Sequence, residues 1–385
     1  MRKVAIVGIG LTKVGRHFDK GLRELFYEAA VRAIEDAGCP EIEAIIVGNM
    51  CSSSLCDQDS LGALLADYCG LCGRAAFKVE AACGSGGVAL LTGYMAVASG
   101  LYDYVLVGGV EKLTEATTRE VTYALAKAAD ADYELFYGTS FTALNALIMR
   151  YYMRKYNVTR EDMALWPVKM HENAMKCPHA QFHKRITVDD VLKSPLIADP
   201  IRVLDCAPIS DGAAAVVLCP LEEARRVSDA VVEVAGIACS TDYMYLAQRP
   251  DIASFTATVK AAERAYRMAK VEPRDVDVAE VHDAFSVLGF IDIEDLGFSR
   301  RGEAVKLLKE GVFDPGGKPS VNPSGGLKAR GHPVGATGVY QVAEVALQLM
   351  EKAGSMQVPS PEIGLVQSIG GVGTTVTVAI LRRVK

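Results

Sequence analysis

Long apolar runs and basic runs are missing from this sequence of 385 residues, and no export signal is expected in it. Its apolar stretches, such as 104–110, fall well short of the ~20 residues that cross a bilayer, so no membrane association is expected. No lysine or arginine run exceeds a few residues and the formal net charge is −6, which leaves no electrostatic footprint for DNA or RNA. The start, Met1-Arg2-Lys3 and a short apolar run, meets Thr12-Lys13 without a small-residue cleavage site. It reads as a first strand, and a soluble cytoplasmic protein is expected.

What is present is a large apolar fraction: half the residues are hydrophobic and 23% are charged, enough for two domains or two fused halves around a sizeable core. Ten cysteines in a chain read as cytoplasmic are expected to stay free thiols. Cys69 and Cys72 have CxxC spacing, but Cys51 and Cys56 are more loosely spaced and no histidine lies nearby, so these four read as core or surface thiols and no metal is expected. Gly8-Ile9-Gly10 follows a strand, yet the third glycine of a GxGxxG turn would fall on Lys13. A dinucleotide site is therefore not expected.

Periodicity predicts a strand at 3–7, an amphipathic helix at 22–37 with Leu22, Leu25, Phe26, Ala29, Ala33 and Ile34 on one face, and a strand at 44–47. The same order returns as a strand at 231–238, a helix at 256–268 and a strand at 278–281. Glu28-Ala29-Ala30-Val31-Arg32-Ala33 is echoed by Lys260-Ala261-Ala262-Glu263-Arg264-Ala265. Each half continues with a glycine-rich turn, a buried helix and a strand: 83–99 and 104–110 in the first, 331–350 and 364–368 in the second, which adds a strand at 374–381. Two such halves imply layered α/β architecture, with buried helices between two mixed sheets. The boundaries read as an N-terminal half at 1–110, an inserted loop or lid region at 111–208, the end of the N-terminal half with a linker at 209–230, and a C-terminal half at 231–385.

Cys83 lies where a short apolar segment passes into Gly84-Ser85-Gly86-Gly87 and an uncharged helix. A thiol there faces the positive end of a helix dipole and unpaired N–H groups, which favour thiolate and can hold an oxyanion. Three further turns carry chemistry: His282-Asp283-Ala284-Phe285, the segment from Asn322 to Pro333, and Ser368-Ile369-Gly370-Gly371. A cysteine and two histidines at such turns match the parts needed for acyl transfer: nucleophile, acid/base and oxyanion donors.

At these residues the chain resembles the thiolase superfamily over nearly its whole length. Cys83 with its glycine-rich tail is similar to the acylated cysteine, and Gly331-His332-Pro333-Val334-Gly335-Ala336-Thr337-Gly338 matches the GHPxGxTG motif. His282-Asp283-Ala284-Phe285 is similar to the third block, Asn-Glu-Ala-Phe in classical members and His-Asp-Cys-Phe in the sterol-carrier-protein type. Ser368-Ile369-Gly370 stands at the Cys-x-Gly block. Within the superfamily the chain most resembles the archaeal acetoacetyl-CoA thiolases.

The resemblance implies a thiolase-like fold, two duplicated halves in a five-layer αβαβα arrangement with an inserted loop domain. It implies cleavage of acetoacetyl-CoA by CoA and the reverse condensation of two acetyl-CoA, with CoA thioesters as substrates, no other cofactor and no metal. Cys83 would attack the thioester while His332 removes its proton and later sits beside the second thioester oxygen. His282 would help form the first oxyanion hole, the N–H groups of Cys83 and Gly370 the second, and Phe285 would line the acyl pocket. The resemblance further implies the mevalonate route, a homodimer or tetramer with 80–103 near its interface, and association with hydroxymethylglutaryl-CoA synthase through a small zinc-bearing OB-fold protein.

Thiolases carry a second cysteine as α-proton base, and here Ser368 stands at one of its places and Ala284 at the other. A serine hydroxyl is far less acidic than a thiol, so Ser368 needs an activating neighbour to act as a base. Three readings stay open. One is an active thiolase in which His282, Cys51, Cys56 or Cys206 serves as base. Another is a decarboxylating Cys-His-His condensing enzyme, which needs no α-proton base. The third is a scaffold or acyl-CoA-binding subunit without turnover. For the CoA phosphates, Lys169, Lys176, Lys184, Arg185, Lys193 and Arg202 are the candidates in the insertion.

Overall fold

The computed structural model describes residues 2–384. The first half runs β1 (Val4–Leu11), α1 (Leu22–Asp36), β2 (Ala44–Gly48), α2 (Ser52–Leu55), α3 (Leu61–Tyr68), β3 (Ala75–Val79), α4 (Ser85–Ser99) and β4 (Val105–Glu111). Helices α5 (Thr118–Ala126), α6 (Phe141–Tyr156), α7 (Arg160–Ala174) and α8 (Val188–Lys193) follow, then a small hairpin of β5 (Leu196–Ala198) and β6 (Ile201–Arg202). The chain returns as β7 (Gly212–Pro220) and α9 (Leu221–Val227). The second half is β8 (Val232–Thr241), α10 (Thr256–Ala269), β9 (Val278–Glu280), α11 (Ser286–Asp295), α12 (Ala304–Lys309), β10 (Ser320–Val321), α13 (Gly326–Ala329), α14 (Thr337–Leu349), β11 (Ile363–Gly370) and β12 (Thr375–Arg383).

The two halves have the same strand order. Reading outward from the middle of the sheet it is β1-β7-β4-β2-β3 in one direction and β8-β12-β11-β9-β10 in the other. In both, the outer three strands are parallel and the inner two antiparallel. The two mixed sheets expected of the layered architecture are joined edge to edge by β1 and β8, through Ala5 opposite Glu233 and Ile6 opposite Val232. The ten strands are thus one hydrogen-bonded sheet, and α4 and α14 each touch strands of both halves. Helix α1 covers β1 and β7 from outside, α10 covers β8 and β12, and the layers read αβαβα.

The glycine pair that imitates a nucleotide turn lies inside β1, which is longer than periodicity suggested. A Cβ on Gly8 would stand 2.1 Å from the Ala33 carbonyl oxygen, and one on Gly10 would stand 1.9 Å from that of Ala29. These glycines let α1 lie on the strand. In the second half, a Cβ on Gly236 would stand 2.3 Å from the Ala265 carbonyl oxygen of α10. The echoed alanines in α1 and α10 are the other face of this contact, which explains why the two helices read alike.

By length and composition the stretch Ala82–Ser99 could cross a membrane, but 67% of it is buried inside the fold. It is the central-layer helix α4, apolar because sheet covers it on both sides.

Candidate active site

Both central helices begin at the same end of the fold, and the site lies at their first turns. Cys83 stands between β3 and α4 on a tight turn in which Ala82 adopts a φ of 51°. The Ser85 hydroxyl holds that turn by donating to the Ala82 carbonyl at 2.6 Å and accepting from the Ala81 N–H at 3.0 Å. His332 precedes α14, and His282 follows β9. The Cys83 sulfur and one ring nitrogen of each histidine lie within 4.8 Å of one another. The two imidazoles meet edge to face, with ring centroids 5.1 Å apart.

Burial sets the charge state of all three. The Cys83 thiol is pushed up to about 12 by desolvation and by the Glu111 carboxylate, against a smaller opposing effect of its own backbone N–H. The thiolate expected from the helix dipole is therefore not the resting form, because burial outweighs the dipole. Desolvation, with the Arg330 guanidinium behind it, lowers His282 to about 3. Desolvation, His282 and Arg330 together hold His332 well below the usual histidine range. The resting site is a neutral thiol facing two neutral imidazoles.

The His332 tautomer follows from its contacts. Its Nδ1 lies 2.7 Å from the Thr337 hydroxyl, which itself donates to the Pro333 carbonyl at 3.3 Å. With that hydroxyl proton committed, Nδ1 carries the ring hydrogen and Nε2 keeps its lone pair. The backbone N–H of His332 donates to the Ser210 hydroxyl at 3.0 Å, and that of His282 to the Gln367 side-chain oxygen at 3.2 Å.

Gly370 ends β11 against the Cys83 turn, where a Cβ on Gly84 would be 2.8 Å from the Gly370 nitrogen. Ser368 lies between the first turns of α4 and α14, with its hydroxyl buried and unpartnered. Phe285 caps α11 and faces Cys206 across a single β-bridge. Of the other thiols, Cys51 is buried in the apolar cluster that holds Cys83, while Cys56 donates to the Lys112 carbonyl at 3.6 Å. Among the insertion cations, Lys169 pairs with Asp314, Arg185 with Glu172, and Lys193 with Asp189, while Arg202 donates to the Ser194 carbonyl. Lys176 and Lys184 make no ion pair among the described residues.

Sequence reading missed three buried groups that frame this site. The Glu111 carboxylate accepts from Asn49 Nδ2 at 2.9 Å, from the Met50 and Cys51 N–H groups at 3.0 Å each, and from the Gly335 N–H at 2.9 Å. It ties a loop of the first half to the His332 turn of the second. Asp283 accepts from Trp166 Nε1 at 2.8 Å and from the Leu327 N–H at 2.7 Å, joining α7 to the His282 turn. Arg330 is fully buried, 3.0 Å from the Glu344 carboxylate, which also meets His179 Nε2 at 2.8 Å. A buried charged residue whose partners lie far along the chain leaves no periodic trace. The only available signal was that such residues interrupt otherwise apolar runs.

Duplicated halves, two central helices and a thiol grouped with two imidazoles at their N-termini define a thiolase-fold protein with a buried cysteine–histidine site. The profile described as "Thiolase, N-terminal domain" matches residues 4–222 and that of "Thiolase C-terminal domain-like" matches 238–383. The chain belongs to the thiolase family. It is 46% identical, over all of both chains, to an acetyl-CoA acetyltransferase of Methanothermobacter thermautotrophicus. Another acetyl-CoA acetyltransferase, of Methanocaldococcus jannaschii, is 42% identical over 99% of each chain. Among solved structures, the Ltp2-ChsH2(DUF35) aldolase superposes with a TM-score of 0.86 at 25% identity, covering 99% of this chain and 98% of that one.

Proposed function

We propose that this protein is an acetyl-CoA C-acetyltransferase that cleaves acetoacetyl-CoA with CoA and runs the reverse condensation of two acetyl-CoA. The observation that carries the reading is the convergence of Cys83, His282 and His332 within 4.8 Å at the starts of α4 and α14. The relatives named acetyl-CoA acetyltransferase support the same substrates.

In the first half-reaction, His332 Nε2 takes the Cys83 proton as sulfur attacks the acetyl thioester. The departing CoA sulfur then takes that proton back. A neutral imidazole suits the task, because the proton moves only as the nucleophile commits. The backbone N–H groups of Cys83 and Gly370 hold the first tetrahedral oxyanion. In the second half-reaction, the enolate of the incoming acetyl-CoA is stabilised by a ring N–H of His282, with His332 beside the same thioester, in a site dry enough for that bond to matter. Phe285 lines the acyl pocket.

The product would feed hydroxymethylglutaryl-CoA synthesis in the cytoplasm, with the synthase and a small zinc-bearing OB-fold protein as partners. The name Ltp2-ChsH2(DUF35) aldolase joins two components, which supports the idea that a thiolase-fold chain works beside another protein.

Acetoacetyl-CoA and CoA are mixed with the protein and loss of the enolate absorbance is followed, alongside intact mass after acetyl-CoA treatment. The expected result is turnover, with an acetyl adduct that Cys83→Ala abolishes. An adduct with no thiolysis but with carbon dioxide released from malonyl-CoA would instead indicate a decarboxylating condensing enzyme. No adduct and no turnover would leave a scaffold.

A further inference from the structure

Cys83 and His332 come from different halves of the chain, so the way thiol and imidazole meet depends on what holds the start of α14 against the first half. Residues 332–337 form one tight turn. The Ala336 and Thr337 N–H groups both donate to the Pro333 carbonyl, at 2.8 and 3.0 Å, and the Thr337 hydroxyl meets His332 Nδ1 at 2.7 Å. Val334, in this turn, lies in the apolar cluster that contains Cys83 and Cys51. Apolar contact can seat such a turn, but directional bonds are needed to fix its rotation.

Glu111 supplies them. It ends β4 and is fully buried. One carboxylate oxygen accepts from the Gly335 N–H at 2.9 Å, in the middle of the turn, and from the Met50 N–H at 3.0 Å. The other accepts from Asn49 Nδ2 at 2.9 Å and from the Cys51 N–H at 3.0 Å. Asn49 is itself fixed, its Nδ2 donating also to the Val110 carbonyl at 2.8 Å and its Oδ1 accepting from the Ser52 N–H at 3.0 Å. The approach is close, since a Cβ on Gly335 would stand 2.6 Å from Asn49 Cα and 2.7 Å from the carboxylate.

This carboxylate has no ion-pair partner among the described residues. The adjacent Lys112 pairs with Asp211 and Glu115, both at 3.0 Å, and Lys78 on β3 donates to the Ser52 hydroxyl at 3.2 Å. Burying a carboxylate without a cation is costly, so its place here calls for something a neutral side chain cannot do. That is to accept four N–H bonds at once, two on each oxygen, where an amide has a single acceptor oxygen. Desolvation pushes Glu111 up to about 7 against the pull of these N–H groups and of Lys78. Both oxygens face donors, so the ionised form is the one this cradle fits.

We propose that Glu111 is the positioning residue for His332: its carboxylate pins the 332–337 turn to the loop at 49–51, so that imidazole and thiol from the two halves meet in one fixed geometry. The effect on acylation rests on the acyl-transfer reading, whereas the geometric role does not. The same anion faces Cys51, Cys56 and Cys83 and raises all three thiols, with Glu80 adding to its effect on Cys83.

The test compares the full-length protein with Glu111→Gln, which loses the charge and one acceptor, and Glu111→Asp, which keeps the charge and loses reach. Nitrogen NMR of histidine-labelled protein reads the His332 tautomer, assigned among the six histidines by its loss in His332→Ala. The wild type is expected to show the single Nδ1–H form and both variants a mixture. At pH 8, single-turnover acetylation of Cys83 by acetyl-CoA, followed by intact mass, should slow by about 10- to 100-fold in both variants, with the half-saturating acetyl-CoA concentration unchanged. Alkylation by iodoacetamide, which needs no histidine, should move to lower pH in Glu111→Gln, where the anion that holds the thiol up is gone, and stay in place in Glu111→Asp. One tautomer and wild-type acetylation in both variants would overturn the proposal. Failure of both variants to fold would make Glu111 a folding residue and overturn it as well. No adduct on the wild-type protein, with the tautomers still mixed in the variants, would overturn the acyl-transfer reading and leave the positioning role standing.

Discussion

At the scale of single residues, the chemistry turns on how a buried thiol is made reactive without being stored as thiolate. A helix start supplies roughly half a unit of positive charge, which argues for a low thiol pKa. Burial and Glu111 win instead and raise Cys83 to about 12. The sign is clear: the raised group stays protonated through neutral pH and ionises only in strong alkali. Alkylation of Cys83 by iodoacetamide is therefore expected to climb steadily from pH 6 to pH 10. A plateau near neutrality would reveal a preformed thiolate–imidazolium pair and contradict the neutral resting state. Such a resting thiol is expected to resist oxidation and stray alkylation, and in the proposed mechanism it reacts only when the thioester and His332 meet it together.

The elements show which features can be read from sequence and which cannot. The strand–helix–strand order of each half was legible, because apolar periodicity and the alanine echo between 28–33 and 260–265 are local signals. So were Cys83, His282 and His332 as residues at glycine-marked turns. The run of β1 through Gly10 was not, since its cause is the close approach of α1, which lies across the sheet rather than along the chain. Glu111 and Asp283 were equally hidden, as their partners Gly335 and Trp166 are more than a hundred residues away. The glycine contact gives a sharp test. Gly10→Ala is expected to destabilise by about 1–3 kcal/mol in urea unfolding, whereas Gly15→Ala, with nothing within 4 Å, should be near neutral. Equal effects would show that the strand–helix approach is not what the glycine serves.

Over the whole molecule, joining the two halves into one sheet leaves β3 as an open edge, with Phe77 44% exposed on it. An unpaired edge strand carrying a large apolar side chain invites pairing with another chain. A two-fold copy set edge to edge would extend the sheet and bring the Cys83 turn, just after β3, next to the junction. Size-exclusion chromatography with light scattering is expected to find a dimer or larger, and Phe77→Lys to shift it toward monomer. A wild-type monomer would contradict this arrangement.

The fold places one thiol where both halves converge, and its acylation is the claim on which the remaining chemistry depends. Intact mass spectrometry after brief exposure to acetyl-CoA tests it most directly. The account predicts a single acetyl adduct, mapped to Cys83 and absent from Cys83→Ala, whereas an unmodified protein or an adduct on another cysteine would contradict it.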